Sequence, residues 1–341
     1  MAFLQNTWTM IGWADELDAG FVHRTVADQP VLVYRRQDGT PAALHDRCPH
    51  RIVPLHRGHQ RGDAIECGYH GLRFGADGRC VQHPVEGQPI PAAAKVRAYP
   101  VAERHGILWV WLGDPARADV SRIADFAFLT DPRRSNVAGY AHMKANYLLS
   151  IDNLCDLTHV QFVHGEFQGS EAFSRLQVNV RQDGDTVFTT LTLPGGRPPP
   201  FFASAMADPE QPIDLVMTAR WNAPGLIELT FLAYPPGRRD TPHFESRSAH
   251  IVTPESATTS HYFYVNSRSH ALGDPGVDAH VREWQRIGFG EQDKPMLEAQ
   301  QQCLGERDVL DFQPVLLGSD AGAMRVRRVL TALLEAEARP G

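Results

Sequence analysis

Apolar positions divide the chain into two regions of different rhythm. Up to about residue 115 they come as short runs broken by turn residues: Val31-Leu32-Val33-Tyr34, an Asp38-Gly39 turn, Pro41-Ala42-Ala43-Leu44, then Leu72-Arg73-Phe74, an Asp77-Gly78 turn and Cys80-Val81. Runs of this length predict an all-β unit. Ile107-Leu108-Trp109-Val110-Trp111-Leu112 predicts a buried strand closing that unit, and Gly113-Asp114-Pro115 marks its boundary.

From Ala116 the spacing changes. Ile151, Leu154, Leu157, Val160 and Val163 follow a helical period across Ser150 to Gly165, whereas Leu226 to Tyr234 and Ser260 to Val265 read as longer strands. Pro295 opens a helix within Glu291 to Gln301. Leu193-Pro194-Gly195-Gly196-Arg197-Pro198-Pro199-Pro200 cannot sustain a helix or a central strand and predicts a loop. The pattern is that of an α+β protein of two domains, 1–115 and 116–341, with no internal repeat; 341 residues suffice for both.

Composition adds exclusions. The net charge is -7 and no block of like charge stands out, which argues against nucleic acid or an anionic membrane as the main partner. Met1 to Trp13 lacks the layout of a signal peptide and no segment offers ~18 apolar residues in a row, so a cytoplasmic protein is expected. Locally, His45 to Cys80 carries six arginines against four acids. That excess reads either as a solvated surface or as a docking face for an acidic electron donor.

The chemistry begins with Cys48-Pro49-His50 and Cys67-Gly68-Tyr69-His70. Two thiolates and two imidazoles suit a Rieske-type [2Fe-2S] cluster and also suit zinc, so ligand types alone leave both open. Here each arm supplies one Cys and one His, whereas zinc fingers usually pair like with like. In a cluster the cysteines would hold the inner iron and the neutral histidines the outer one, raising its potential above that of an all-cysteine centre. Pro49 and Gly71 suit sharp loops, and Gly68 would let backbone amides approach the sulfurs. The remaining cysteines, Cys80, Cys155 and Cys303, lie outside both loops, so neither loop can carry a clamping disulfide.

A second constellation lies on the predicted 150–165 helix, where Asn153, Asp156 and His159 stack three residues apart on a polar face that something must engage. His164 lies five residues after His159, so both reach one metal only if the helix widens or ends; Gly165 fits an ending. A carboxylate would complete the two-histidine, one-carboxylate set of non-haem Fe(II) enzymes. Asp293 is the choice and Glu291 its competitor, although an Asp before a helix also serves as a cap.

The two Cys-His loops and the Asp152 to His164 run resemble those of Rieske oxygenases of the vanillate and dicamba O-demethylase kind. The likeness covers nearly the whole chain, including Thr253-Pro254-Glu255-Ser256 and a final helix from about Asp320 to Ala336. It implies a Rieske domain followed by a helix-grip, START-like catalytic domain. Cys48, His50, Cys67 and His70 would bind the [2Fe-2S] cluster, and His159, His164 and Asp293 a mononuclear Fe(II). Asp156, with Asn153 near it, would act in catalysis by linking His70 of one chain to His159 of its neighbour in a homotrimer. His250 and Trp284 would contact an aryl carboxylate substrate. One departure is Cys155, where relatives carry a larger apolar side chain.

The implied activity is O-demethylation of a methoxylated aromatic acid to a phenol and formaldehyde, with NAD(P)H electrons delivered by a separate reductase or ferredoxin. The chain has no Gly-x-Gly-x-x-Gly after a strand with which to bind a dinucleotide itself. A ring-hydroxylating dioxygenase or an N-demethylase on the same scaffold stays open. So does a different class, a non-catalytic Rieske electron carrier with an aromatic-binding domain.

Overall fold

A computed structural model of the chain describes residues 2–165, 174–198, 208 and 210–339. It falls into two units, Ala2–Ile123 and Ala124–Gly341. In the first, eleven short strands run in order: β1 Trp8–Trp13, β2 Val22–Val26, β3 Gln29–Arg35, β4 Pro41–His45, β5 His59–Arg61, β6 Ala64–Glu66, β7 Arg73–Phe74, β8 Cys80–Gln82, β9 Ala98–Tyr99, β10 Val101–Arg104 and β11 Ile107–Trp111. They form three antiparallel sheets, β1-β11-β10, β2-β3-β4-β9 and β5-β6-β7-β8. Leu32, Tyr34, Leu44, Leu55, Ile65 and Phe74 build a core that reaches Cys48 and Cys67 directly. Burial of these side chains, each worth roughly 1.5 to 3 kcal/mol, fixes the strands from which the two Cys-His loops spring.

The second unit is one seven-stranded antiparallel sheet in the order β12-β18-β17-β16-β15-β14-β13. Its strands are β12 Ser135–Met143, β13 Gln177–Asp183, β14 Thr186–Gly196, β15 Ile213–Asn222, β16 Leu226–Tyr234, β17 Phe244–Pro254 and β18 Ser260–Arg268. Among the described residues it also has helices α1 Tyr147–Cys155, α2 Val160–Val163, α3 Pro275–Gln285, α4 Lys294–Leu304 and α5 Ala321–Ala338. The face bearing Thr189, His250, Tyr264 and Asn266 receives the helical layer. A Cβ on Gly322 of α5 would come within 2.1 Å of Thr189 Oγ1, so glycine is what lets that helix lie close. The α5 residue Arg327 then ties α1 down, bonding Asp152 at 2.6 Å and Asp308 at 2.9 Å.

The predicted strands are present, as is the final helix. Three local expectations are corrected. The Leu193 tract is strand as far as Gly196, because β13 stops pairing at Thr192 and the β14–β15 register shifts between Leu193 and Gly196. Pro194 therefore sits in a bulge beyond the β13 ladder, where its missing N–H costs no bond to that strand. Pro199 and Pro200 of that tract lie outside the described residues. Next, the 150–165 helix is not continuous: Asp156 is extended (φ -116, ψ 91) and ends α1. Finally, Pro295 does not open a new helix, since α3 runs on through a π-helical segment, Arg286–Asp293, into α4.

Candidate metal centres

In the first unit the two Cys-His loops are built alike. Cys48 N–H donates to Val53 O at 2.8 Å and Ile52 N–H to Cys48 O at 2.9 Å; Cys67 N–H donates to Leu72 O at 2.8 Å and Gly71 N–H to Cys67 O at 3.0 Å. Each loop closes with a left-handed residue four places after its cysteine, Ile52 (φ 61) and Gly71 (φ 73). Cys48 and Cys67 are buried at the roots, while His50 and His70 are exposed at the tips with ring centroids 4.6 Å apart. A Cβ at Gly68 would lie 2.5 Å from Arg57 O, so this glycine permits backbone to cross backbone.

Burial pushes the Cys48 thiol up to about 11, and the neighbouring Cys67 thiol adds to the shift. Two buried thiols facing each other suit a cation that takes the place of their protons. With sulfur donors inside and imidazoles outside, the donor set fits a [2Fe-2S] cluster, for which the two thiols would serve one iron and the two imidazoles the other. Around it, Arg61 and Arg73 are paired with Glu66 and Arg79 with Asp77, whereas Arg47, Arg51 and Arg57 are exposed with no acid partner among the described residues. The local positive excess thus resides at the loops themselves.

In the second unit the break at Asp156 solves the five-residue spacing. Its Oδ1 accepts Thr158 N–H at 2.9 Å and the Thr158 hydroxyl at 2.6 Å, capping a 3-10 turn, Leu157–His159, that leads into α2. His164 follows α2 in extended conformation. The imidazoles of His159 and His164 meet edge to face, centroids 5.5 Å apart. Asp293, at the end of the π segment, lies opposite: His159 Nε2 is 3.7 Å from Oδ1 and His164 Nε2 is 3.5 Å from Oδ2. One wide helical turn displaces Asp293 from where an α-helix would put it, the usual signature of a π segment at a site.

The other ring nitrogens are held. His159 Nδ1 donates to the Asp156 carbonyl at 2.6 Å and His164 Nδ1 to Gln292 Oε1 at 2.7 Å, leaving both Nε2 lone pairs aimed at Asp293. The bond expected between Asp156 and His159 is made by the Asp156 backbone oxygen, while its carboxylate Oδ1 caps Thr158. Asp293 is buried, and its Oδ1 has no hydrogen-bond partner among the described residues. Burial raises its carboxyl from the ordinary value, opposed by His159, His164 and the nearby Asn153 side chain. Burial also lowers the His159 ring, favouring a free lone pair. One donor atom from each of the three lies within 4.8 Å of the others, a set that fits a divalent iron. Glu291 is excluded: it is an exposed ion-pair partner of Arg286.

Aromatic side chains crowd this cluster. Phe289 packs edge-on against Trp284 (5.0 Å), Tyr264 (4.8 Å) and His250 (5.3 Å). Gly288 joins wall to metal cluster, its Cβ position lying 3.8 Å from the Trp284 ring and 3.9 Å from His164 Cε1. His250 is wholly buried, with Nε2 2.9 Å from Ser248 Oγ and Nδ1 2.6 Å from Tyr262 Oη. Gln292 and Phe289 were not singled out from the sequence, and Tyr262 reads there as one of several strand aromatics. Only the adjacency of Gln292 to Asp293 could have signalled one of them.

Loops that present two thiols below two imidazoles, and a separate helix-on-sheet unit with a buried cluster of two histidines and one aspartate, define the class of Rieske-type oxygenases. Comparison with known proteins agrees. The Rieske [2Fe-2S] domain family matches residues 7–100 and the vanillate O-demethylase oxygenase C-terminal domain family residues 143–336. The chain is 37% identical over 339 residues to the dicamba O-demethylase oxygenase component of Stenotrophomonas maltophilia, covering 99% of this chain and 100% of that one. It is 35% identical over 340 residues to the chloroacetanilide N-alkylformylase oxygenase component of Rhizorhabdus wittichii, covering 99% and 97%. The crystal structure of dicamba monooxygenase bound to dicamba superposes with a TM-score of 0.90 at 36% identity, covering 99% of both chains.

The chain belongs to the Rieske non-haem iron oxygenases of the vanillate and dicamba O-demethylase family. It is a Rieske-type oxygenase component with a [2Fe-2S] cluster and a mononuclear iron, supplied with electrons by a separate reductase or ferredoxin. Among the described residues, no helix is long and apolar enough to cross a membrane.

Proposed function

We propose that this oxygenase removes the methyl group of a methoxylated aromatic acid. Cys48, His50, Cys67 and His70 hold the cluster; His159, His164 and Asp293 hold the mononuclear iron. When bound, the cluster passes on single electrons and the mononuclear iron supplies the place where dioxygen is reduced. The observation that carries the reading is the aromatic wall of Trp284, Phe289, Tyr262 and Tyr264 built against the His159–His164–Asp293 cluster. It orients a flat ring beside the reducing centre and keeps water from it. One oxygen atom enters a methyl C–H bond and the other leaves as water, with two electrons and two protons consumed. The resulting hemiacetal releases formaldehyde and a phenol.

The chain's own residues prepare this chemistry. The Asp156 carbonyl and the Gln292 amide fix the two imidazoles as Nε2 donors. Within a homotrimer, the second carboxylate oxygen of Asp156 reaches His70 of a neighbouring copy, so that cluster and iron are coupled through one residue. The exposed Arg47, Arg51 and Arg57 meet an acidic electron donor in the cytoplasm. The test is an NAD(P)H-coupled oxygen-uptake screen over methoxybenzoates with a promiscuous reductase, assaying formaldehyde. Stoichiometric formaldehyde supports demethylation; a cis-diol without formaldehyde would place the enzyme among ring dioxygenases.

A further inference from the structure

We infer that the substrate wall reads ring shape and one hydrogen-bond acceptor but not charge, so that uncharged methoxyarenes such as amides are substrates on a par with the corresponding acids. The inference rests on the demethylation reading and narrows its substrate class.

Side chains of directly paired antiparallel residues share a face. Ile227 pairs with His250, Leu229 with Ser248, His250 with Tyr264 and Val252 with Tyr262, so these residues line the helix-side face of the sheet. Among the described strands, the one Lys or Arg on that face is Arg268, at the end of β18, ion-paired with Asp278 at 2.6 Å. Arg220 and Arg247 lie on the opposite face with Glu228. On the helical side, Arg282 is exposed, Arg286 is held by Glu283 and Glu291, Lys294 donates to the His142 carbonyl at 2.6 Å and Arg327 is held by Asp152 and Asp308. Residues 166–173 and 199–207, outside the described residues, contain no Lys, Arg or His.

Among the described residues, the polar group that this face sets against the aromatic wall is the chain Ser248–His250–Tyr262. Its imidazole is buried between two hydroxyls, with no carboxylate bonded to either nitrogen, and burial lowers its pKa to about 3. A neutral imidazole carries one N–H. If Nδ1 bears it and donates to Tyr262, Ser248 donates to Nε2 and the Tyr262 O–H is left over. If Nε2 bears it, Tyr262 donates to Nδ1 and the Ser248 O–H is left over. Either way the chain offers one uncharged donor, which serves a carboxylate, amide or aldehyde oxygen alike.

The test compares a methoxybenzoic acid with its primary amide on the holo-oxygenase with its electron donor, reading kcat/KM for formaldehyde at ~20 and ~300 mM salt. The amide is expected within about tenfold of the acid or above it, with the acid-to-amide ratio, which cancels any effect of salt on the electron donor, changing less than about twofold with salt. An amide more than about tenfold poorer, or an acid-to-amide ratio that falls steeply with salt, overturns the inference. Absence of formaldehyde from every compound would instead defeat the demethylation reading. Calorimetric Kd values for the same pair, held to the same tenfold criterion, would then still decide the charge question.

Discussion

Gln292 Oε1 lies 2.7 Å from His164 Nδ1, and this hydrogen bond decides which nitrogen of that imidazole faces Asp293. Replacing Gln292 by Leu leaves the ring free to turn or change tautomer. Such supporting bonds are typically worth about 10- to 100-fold in metal affinity. The Gln292→Leu protein is expected to keep its red-brown cluster and its acid-labile sulfide while losing mononuclear iron on dialysis. An unchanged iron-to-sulfide ratio would deny the residue this role.

Asp156 acts through two oxygens of different kinds, its carbonyl on His159 and its carboxylate on Thr158. Asn can keep both bonds, so Asp156→Asn is expected to fold and load both metals. What it lacks is the charge proposed to reach His70 of a neighbouring chain. Rapid mixing with reductant should show normal cluster reduction but turnover reduced at least about tenfold. Full turnover in this variant contradicts the bridging role.

Arg327 is a buried cation between Asp152 and Asp308. Removing one member of such a group strands the others and costs roughly 3 to 5 kcal/mol. Arg327→Met should lower the denaturant midpoint of the second unit and release mononuclear iron, since α1 leads directly into the histidine turn. The visible spectrum of the cluster should persist to the denaturant concentration seen in the parent protein. Coincident loss of both signals at the parent midpoint would refute the anchoring role.

The buried His250 also sets a pH dependence. In the unfolded chain it protonates near 6.5, whereas burial delays this to about 3 in the folded protein. Between those values the unfolded state binds more protons, so stability is full above about 6.5 and falls as pH is lowered. One group shifted in this way costs about 1.4 kcal/mol by about pH 5.5 and about 2 kcal/mol by about pH 5. Urea titrations of His250→Asn should show a flatter acid limb than the parent protein over this range. Parallel limbs would mean that the ring is not held neutral.

The proposed ligands nearest one another in sequence were the easiest to read. Cys48 with His50 and Cys67 with His70 are each set by a single turn, so spacing alone exposes them. His159 and His164 were visible as a pair, but the device that unites them was not. It depends on Asp156 leaving helical conformation, a choice made by its cap to Thr158. Asp293 could be named only as one of two acids near a predicted helix start. What separates it from Glu291 is the π segment, which turns one inward and leaves the other on Arg286. The strand through Pro194 and Gly195 was hidden for a similar reason: residues that forbid regular pairing are tolerated where a register shift and the end of the neighbouring ladder coincide.

From Pro275 to Leu304 the backbone never leaves helical conformation, so Trp284, Phe289 and Asp293 ride on a single rod. Anyone reshaping this enzyme for a bulkier ring will find the wall and the carboxylate that faces the two histidines mechanically yoked: a displacement at Trp284 is carried nine residues along to Asp293. Variation in substrate range is therefore easier on the sheet side, at Ile227 or Leu229, where a side chain can change while the rod stays put.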